Sequence, residues 1–150
     1  MVETLVAALE REHHEIDKGI AASADGSSHR ESLARAMATL RRHIYLEEEF
    51  LFPPLRAAGL VAPVFVMVHE HGRMWQTLDA LAAALDGGTG STVDLVRALQ
   101  EQLDAHNPKE EQILYPQADQ VLTASATGEL QAQLAAGRTP DGWVCEALRS

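Results

Sequence analysis

The sequence predicts an all-α fold, an antiparallel up-down-up-down four-helix bundle with a short C-terminal extension. Apolar residues recur every three or four positions along four long segments, which is the period of an α-helix. Period-two alternation and β-branched runs are scarce, so no sheet is expected. Short loops between the segments favour antiparallel neighbours. At 150 residues with 46% apolar content, the chain is expected to form one domain around a single core.

The first two helices have recognisable ends. Helix one is predicted from Val2 to about Ala22, and residues 24–27 are predicted to form a loop. Ser28 with Glu31 three positions later forms a capping box that would start helix two. The pair Pro53–Pro54 should end or kink this helix, because proline cannot donate a backbone hydrogen bond.

The third and fourth helices are delimited by proline and glycine. Helix three should begin near Pro63, a favoured first-turn residue, and continue to Leu85. A glycine-rich turn over residues 87–91 follows. Helix four should start with Ser91 or Thr92 as its cap and extend past the last apolar positions of the bundle.

The chain divides into a predicted bundle over residues 1–122 and a tail over residues 123–150. One short helix is expected from Glu129 to Ala136. The apolar segment Trp143–Cys145 should dock on the bundle or on another subunit, because an exposed tryptophan is costly. The tail could therefore support oligomerisation.

Composition excludes several function classes. A formal net charge of −10 argues against nucleic acid and anionic membrane surfaces, since both need basic patches. No run of about eighteen apolar residues predicts a membrane span, and the N-terminus does not resemble a signal peptide. A lone cysteine, Cys145, excludes an intramolecular disulfide and is consistent with a reducing cytosol, so a cytoplasmic location is expected.

One pattern of histidine and glutamate occurs twice, about sixty residues apart. Each copy has a histidine, a glutamate four positions later, a second glutamate, and a closing aromatic-proline pair, in residues 43–53 and 106–116. Each copy is also preceded by a Glu-His pair, at residues 12–13 and 70–71. Two such half-sites on a duplicated helical hairpin can converge on one buried site.

The spacing places both residue types on the core-facing side of a helix. His43 and Glu47 differ by about 40° around the helix axis, one turn apart, and so do His106 and Glu110. A core-facing glutamate is costly unless it is paired or binds a cation, and two would repel each other. A pair of cations removes both problems. The candidate ligands are His13, His43, Glu47, His71, His106 and Glu110.

Mixed imidazole and carboxylate ligands with open positions suit iron or manganese, whereas the absence of thiolates excludes iron-sulfur and zinc-thiolate sites. A single His-xxx-Glu pair is usually a solvated surface pair, so the interpretation depends on the repetition. His13 is preferred to His14, which lies about 100° away from the core-facing side. Asp17 is expected to accept a hydrogen bond from an imidazole rather than to bind metal, although both remain open.

Several neighbours of the repeat are assigned structural roles. Glu48 and Glu111 are expected to form salt bridges on the helix flank. Phe52 and Tyr115, which are equivalent in the repeat, are expected to pack at the end of the bundle. Pro108 predicts a kink or widened turn between the second histidine and its glutamate. Tyr45 is expected to pack away from the site, with iron ligation as the weaker alternative, and Met37, Met67 and Met74 to fill the core.

These motifs resemble those of the hemerythrin-like, or HHE cation-binding, proteins. The likeness rests on Glu12-His13-His14-Glu15, on both His-xxx-Glu-Glu segments with their aromatic-proline ends, and on Glu70-His71, and it covers residues 1 to about 120. The resemblance implies a four-helix bundle around an oxo- or hydroxo-bridged diiron centre, with manganese or mixed occupancy as alternatives. The implied ligands are the six candidates given above.

The chain departs from the oxygen-carrying members. Those carry a His-xxx-His pair on the third helix, whereas positions 67 and 75 here are Met and Trp, so His71 has no partner one turn away. Open positions and harder donors favour ferric iron and direct reaction over reversible carriage. The expected ligand is peroxide, dioxygen or nitric oxide. The alternatives are a non-catalytic oxygen- or iron-sensing or storage module and a metal-free helical interaction protein.

Overall fold

A computed structural model of the chain describes residues 3–23, 30–87 and 92–149, and none of these residues lies in a β-strand. The predicted all-α class is therefore confirmed for this part of the chain. The helices are α1 (Leu5–Ala21), α2 (Arg30–Leu46), α3 (Phe52–Ala57), α4 (Val61–Leu85), α5 (Thr92–Lys109), α6 (Tyr115–Val121) and α7 (Ala124–Ala136). Two π-helical turns, Glu47–Leu51 and Glu110–Leu114, and a 3₁₀ turn, Glu146–Leu148, complete the elements.

The observed helix ends differ by a few residues from the predicted ones. α1 begins at Leu5, where the Thr4 hydroxyl accepts a hydrogen bond of 3.1 Å from the Ala7 amide. α4 begins at Val61, two residues before Pro63, so that proline lies within the first turn. The predicted loop at 24–27, the Ser28 capping box and the Ser91 cap lie outside the described residues.

Four long helices surround the core. α1 packs against α2 and α5, and α4 packs against α5 and α2. Their buried side chains form two apolar clusters, one containing Leu9 and Met67, the other containing Ile16 and Met74. On α1, His13 lies between Leu9 of the first cluster and Ile16 of the second. On α4, His71 lies between Met67 and Met74 in the same way. The candidate site is therefore a polar layer between two apolar ones. The three methionines predicted to fill the core, Met37, Met67 and Met74, are buried as expected.

Each copy of the repeat contains a widened helical turn that begins at its glutamate. The Phe52 amide donates to the Glu47 carbonyl, and the Tyr115 amide donates to the Glu110 carbonyl, five residues back in both cases. Proline follows each aromatic residue, lacks an amide hydrogen, and would clash with the carbonyl four residues before it in an ordinary α-helix. The widened turn accommodates the proline without ending the helix.

Pro108 does not cause the irregularity that was predicted for it. α5 continues through Pro108 to Lys109, and the widened turn begins only at Glu110. The first copy has the same turn although Tyr45 stands at the position equivalent to Pro108. The prediction of a widened turn near the site was right, but its position and cause were wrong.

The C-terminal residues fold back on the long helices. α7 begins at Ala124, five residues before the predicted start at Glu129. The Trp143 ring lies edge-on to Trp75 on α4, with ring centroids 5.5 Å apart, and Cys145 is completely buried. Within the described residues, none of the helices is both long and apolar enough to cross a membrane.

Candidate metal centre

The structure brings all six predicted site residues together in the centre of the bundle. Each has an exposed fraction of 3% or less. The histidines come from the four long helices, and the glutamates occupy the first position of the two widened turns. The residues are His13 on α1, His43 on α2, His71 on α4, His106 on α5, and Glu47 and Glu110.

These side chains form two overlapping groups with the spacing of a metal site. The first group is His13, His43, Glu47 and Glu110; the second group is Glu47, His71, His106 and Glu110. Within each group, one ligand atom from every residue lies within 4.8 Å of the others. Both carboxylates are shared, so each can offer one oxygen to either group. The cluster is therefore able to hold metal.

The second group contains an unusual concentration of unpaired polar atoms. Among the described residues, four of its buried atoms have no hydrogen-bond partner: Glu47 Oε1, His71 Nε2, His106 Nε2 and Glu110 Oε2. His71 Nε2 lies 3.2 Å from Glu47 Oε1, and His106 Nε2 lies 3.2 Å from Glu110 Oε2, but without hydrogen-bond geometry. Unpaired buried polar atoms are costly. One cation among these atoms would satisfy all four, so the residues fit a metal ion.

A carboxylate holds the outward-facing nitrogen of every site histidine. The Nδ1-to-carboxylate distances are 2.7 Å for His13–Glu111, 3.0 Å for His43–Glu12, 2.7 Å for His71–Glu48 and 2.9 Å for His106–Glu70. Such a contact fixes the ring orientation and favours the tautomer with Nδ1 protonated. The other nitrogen, Nε2, is then available as a metal ligand in all four rings.

These carboxylates correct the roles that the sequence suggested. Glu48 and Glu111 belong to neither group of candidate ligands, but they pair with imidazoles rather than with cations on the helix flank. Asp17 is exposed, and Glu111 takes the role of hydrogen-bond acceptor proposed for it beside His13. The only sequence indication was the repetition of Glu-His and Glu-Glu, since the partners lie on different helices.

Tyr115 was wrongly assigned to packing at the bundle end. Its hydroxyl lies inside the first group, 2.6 Å from Glu47 Oε2, 3.2 Å from Glu110 Oε1, and 3.0 and 3.1 Å from the Nε2 atoms of His13 and His43. The equivalent residue Phe52 instead stacks on His71, with ring centroids 5.5 Å apart. The widened turns direct both aromatic rings toward the site, and helical periodicity could not show this.

Other aromatic residues behave as expected. Tyr45 packs edge-on against Phe50 and Trp143, with ring centroids 6.1 and 5.2 Å away, outside both groups. It therefore belongs to the surface on which the C-terminal tail packs and is not a candidate ligand.

Opposite charges balance one another across the site. Burial lowers the pKa of His43, but Glu47 and Glu12 outweigh burial and raise that pKa to about 10. Burial raises the pKa of Glu110, but His106 and other imidazoles hold it well below its usual range. The pKa values of His71 and His106 are raised as well, so without metal, protons on these three imidazoles offset the charge of the Glu110 carboxylate. Cations would replace those protons, because metal ligands must be deprotonated.

Comparison with known families agrees with this geometry. The family model for the hemerythrin HHE cation-binding domain matches residues 4–118, which contain all six site residues. Comparison with curated proteins and with solved structures gives no match. Because the matched region covers most of the chain and includes both groups, the chain belongs to the hemerythrin HHE cation-binding domain family.

Proposed function

We propose that this protein is a non-haem diiron protein that binds or reacts with peroxide, dioxygen or nitric oxide. Two iron ions with an oxo or hydroxo bridge are held in an antiparallel up-down-up-down four-helix bundle over residues 1–122, and manganese or mixed occupancy is the alternative. The ligands are His13, His43, Glu47, His71, His106 and Glu110. The lone Cys145 supports a cytoplasmic location.

One observation carries this proposal. The two groups of ligand atoms share both glutamates, and the second group contains four buried polar atoms without partners among the described residues. One cation would satisfy these four atoms, and the first group offers the same ligand types at the same spacing for a second cation. Two cations bridged by carboxylates use every available atom, and imidazole with carboxylate ligands suits iron.

The chain's own residues prepare the site for small molecules. When bound, iron would supply electron exchange and open coordination positions. Glu48 and Glu111 hold the Nδ1 protons of His71 and His13 and so keep their Nε2 atoms directed inward. The Tyr115 hydroxyl donates to Glu47 Oε2 and is a proton donor inside the first group. The apolar clusters on both sides of the polar layer restrict entry of water and large substrates.

Among residues 3–23, 30–87 and 92–149, we find no fifth polar side chain that enters the second group as Tyr115 enters the first. Met67 and Trp75, one turn before and after His71, are 2% and 6% exposed and pack in the two apolar clusters. Phe52 presents a carbon ring where Tyr115 presents a hydroxyl. We infer that an exogenous small molecule binds at the second group, where fewer protein atoms compete for the cation.

The burial of the site supports a second candidate function. All six ligands are at most 3% exposed, which favours a site that binds slowly and releases rarely. A non-catalytic module that senses or stores oxygen or iron has this property. The first candidate requires repeated access of substrate, whereas the second requires only one binding event.

Hydrogen peroxide separates these two functions. Iron-loaded protein is mixed with an excess of peroxide, and dissolved oxygen and the visible spectrum are followed together. The redox protein is expected to evolve oxygen over many equivalents per site. A stoichiometric colour change without sustained oxygen evolution would support the binding module. The Glu110→Gln variant, loaded in parallel, controls for peroxide decomposition by loosely bound iron.

A further inference from the structure

The C-terminal tail makes a hydrogen bond that reaches the candidate metal centre through one carboxylate. The backbone amide of Glu146 donates to Glu48 Oε1 at 2.8 Å. The other oxygen of Glu48 accepts from His71 Nδ1 at 2.7 Å. Both oxygens of this buried carboxylate are therefore occupied, one by the tail and one by a site histidine. The tail, Glu48 and His71 form a continuous chain of contacts.

The tail is seated closely against the helix that carries His71. Gly72 lies beneath Ala147, and a Cβ at position 72 would lie only 2.8 Å from the Ala147 Cβ, so glycine permits this approach. Cys145 is completely buried within the core cluster that also contains Trp75. Glu49 accepts hydrogen bonds from the Trp143 indole at 3.0 Å and from Arg149 at 3.2 Å. These contacts fix the position of the Glu146 amide.

The equivalent carboxylate in the other half of the site has no such support. Glu111 occupies the position of Glu48 in the second copy of the motif and bonds His13 Nδ1 at 2.7 Å. Its side chain is 30% exposed, compared with 2% for Glu48. No backbone amide among the described residues donates to Glu111. The tail thus supports only one of two otherwise equivalent carboxylates.

We propose that the tail segment Trp143–Arg149 is a positioning element for the second group of the metal centre. The Glu146 amide holds Glu48, which in turn orients His71 toward a cation. This inference rests on the proposed function, because it requires that His71 binds metal. The segment lies beyond residues 4–118, which match the family, so the role belongs to this chain's own extension.

Glu146→Pro tests the hydrogen bond almost alone. The residue opens the 3₁₀ turn, where proline is well tolerated, and the preceding Cys145 has φ −62° and ψ 152°, which is compatible with a following proline. The substitution removes the amide hydrogen and also the ion pair with Arg56, whose atoms are 3.5 Å apart. Glu146→Ala is the matched control, since it removes the same ion pair but retains the amide.

The readout is anaerobic titration with ferrous iron, with the dissociation constant of each bound ion measured separately. Glu146→Pro should weaken one of the two binding steps by about tenfold, at the low end for loss of a group that orients a metal ligand. The other step should change little, and Glu146→Ala should resemble the wild type. Equal affinities in the proline and alanine variants would overturn the proposal.

A double-mutant comparison separates positioning from general stabilisation. In a Glu48→Gln background, Glu146→Pro should have little further effect on iron affinity, because the chain of contacts from the tail to His71 is already interrupted. In a Glu111→Gln background, it should retain its full effect. Equal effects in both backgrounds would show that the tail acts only on overall stability.

The wild-type protein offers a test that needs no variant. If the tail strengthens iron binding, iron must stabilise the tail by the same free energy. Deuterium uptake of residues 139–149, followed by mass spectrometry, should slow on iron loading more than uptake of α7. Equal slowing in the two segments would contradict the proposal. Failure of the wild type to bind iron would instead refute the proposed function, so the two failures are distinguishable.

Discussion

Phe52 and Tyr115 occupy equivalent positions in the repeated motif, yet they give the two halves of the site different environments. Tyr115 places a hydroxyl 2.6 Å from Glu47 Oε2 in the first group, where every ligand residue has a hydrogen-bonded contact. Phe52 stacks on His71 in the second group and leaves polar atoms there unpaired. The duplicated motif has therefore produced two inequivalent groups that share the same two carboxylates.

The polar difference between the two groups comes from a single hydroxyl. Both groups have two imidazoles and two carboxylates, and all four imidazoles have a carboxylate on Nδ1. In the part of the chain that the structure describes, the only further polar side chain that we find inside one of the groups is the Tyr115 phenol. We therefore expect the first group to hold its cation more firmly and the second group to admit the small-molecule ligand.

The largest expected effect is on iron retention, when one histidine is removed from either the first or the second group. His71→Ala should retain about one iron per chain, because the first group keeps its own ligands and Tyr115. His13→Ala should retain much less iron after gel filtration, because the remaining second group is the weaker one. Iron and protein concentrations measured on the same fractions give the ratio. Equal iron retention by the two variants would mean that the halves are equivalent.

Tyr115→Phe should remove most of the asymmetry between the halves. In the metal-free protein, it leaves the buried Glu47 Oε2 without its hydroxyl donor, at a cost of about 1–3 kcal/mol in the free energy of unfolding. Denaturant unfolding of the metal-free variant measures this change. Tyr45→Phe is the control, since Tyr45 lies outside both groups, and it should change stability by less than about 0.5 kcal/mol. Similar losses in both variants would remove the special role of Tyr115.

A smaller expected effect is a difference in how the stability of the metal-free and the iron-loaded protein depends on pH. The pKa of His43 is raised from 6.5 to about 10, so protonated His43 stabilises the metal-free fold below pH 6.5. This contribution should be lost as pH rises through about 10, by at most about 1.4 kcal/mol per pH unit. Iron-loaded protein should show the opposite trend and lose metal as pH falls, because protons compete for the ligands. Melting temperatures across pH for both forms test this, and parallel curves would contradict it.

Much of the site could be predicted because its residues repeat on helices. Spacing of four positions placed His43 beside Glu47, and the costs of burying acids then required a compensating charge. The all-helical class followed from the apolar period in the same way. The structure brings together all six residues selected from that pattern.

The missed features depend on contacts between helices or on departures from helical geometry. Glu12 precedes His13 in sequence but bonds His43 on the next helix, which no local spacing reveals. Tyr115 reaches the site because a widened turn changes its direction, and an ideal helix gives no indication of this. The contact between the tail and Glu48 joins residues almost one hundred positions apart. Such features require the three-dimensional packing of the whole chain.

The most direct test of the central claim is the iron content and optical spectrum of the protein as isolated, beside Glu47→Gln and Glu110→Gln. The account predicts two iron ions per chain in the wild type, with a charge-transfer band typical of a bridged ferric pair. It predicts loss of two-metal occupancy in either variant, because each removes a carboxylate shared by both groups. A wild type that binds no metal, or variants with unchanged iron content, would contradict it.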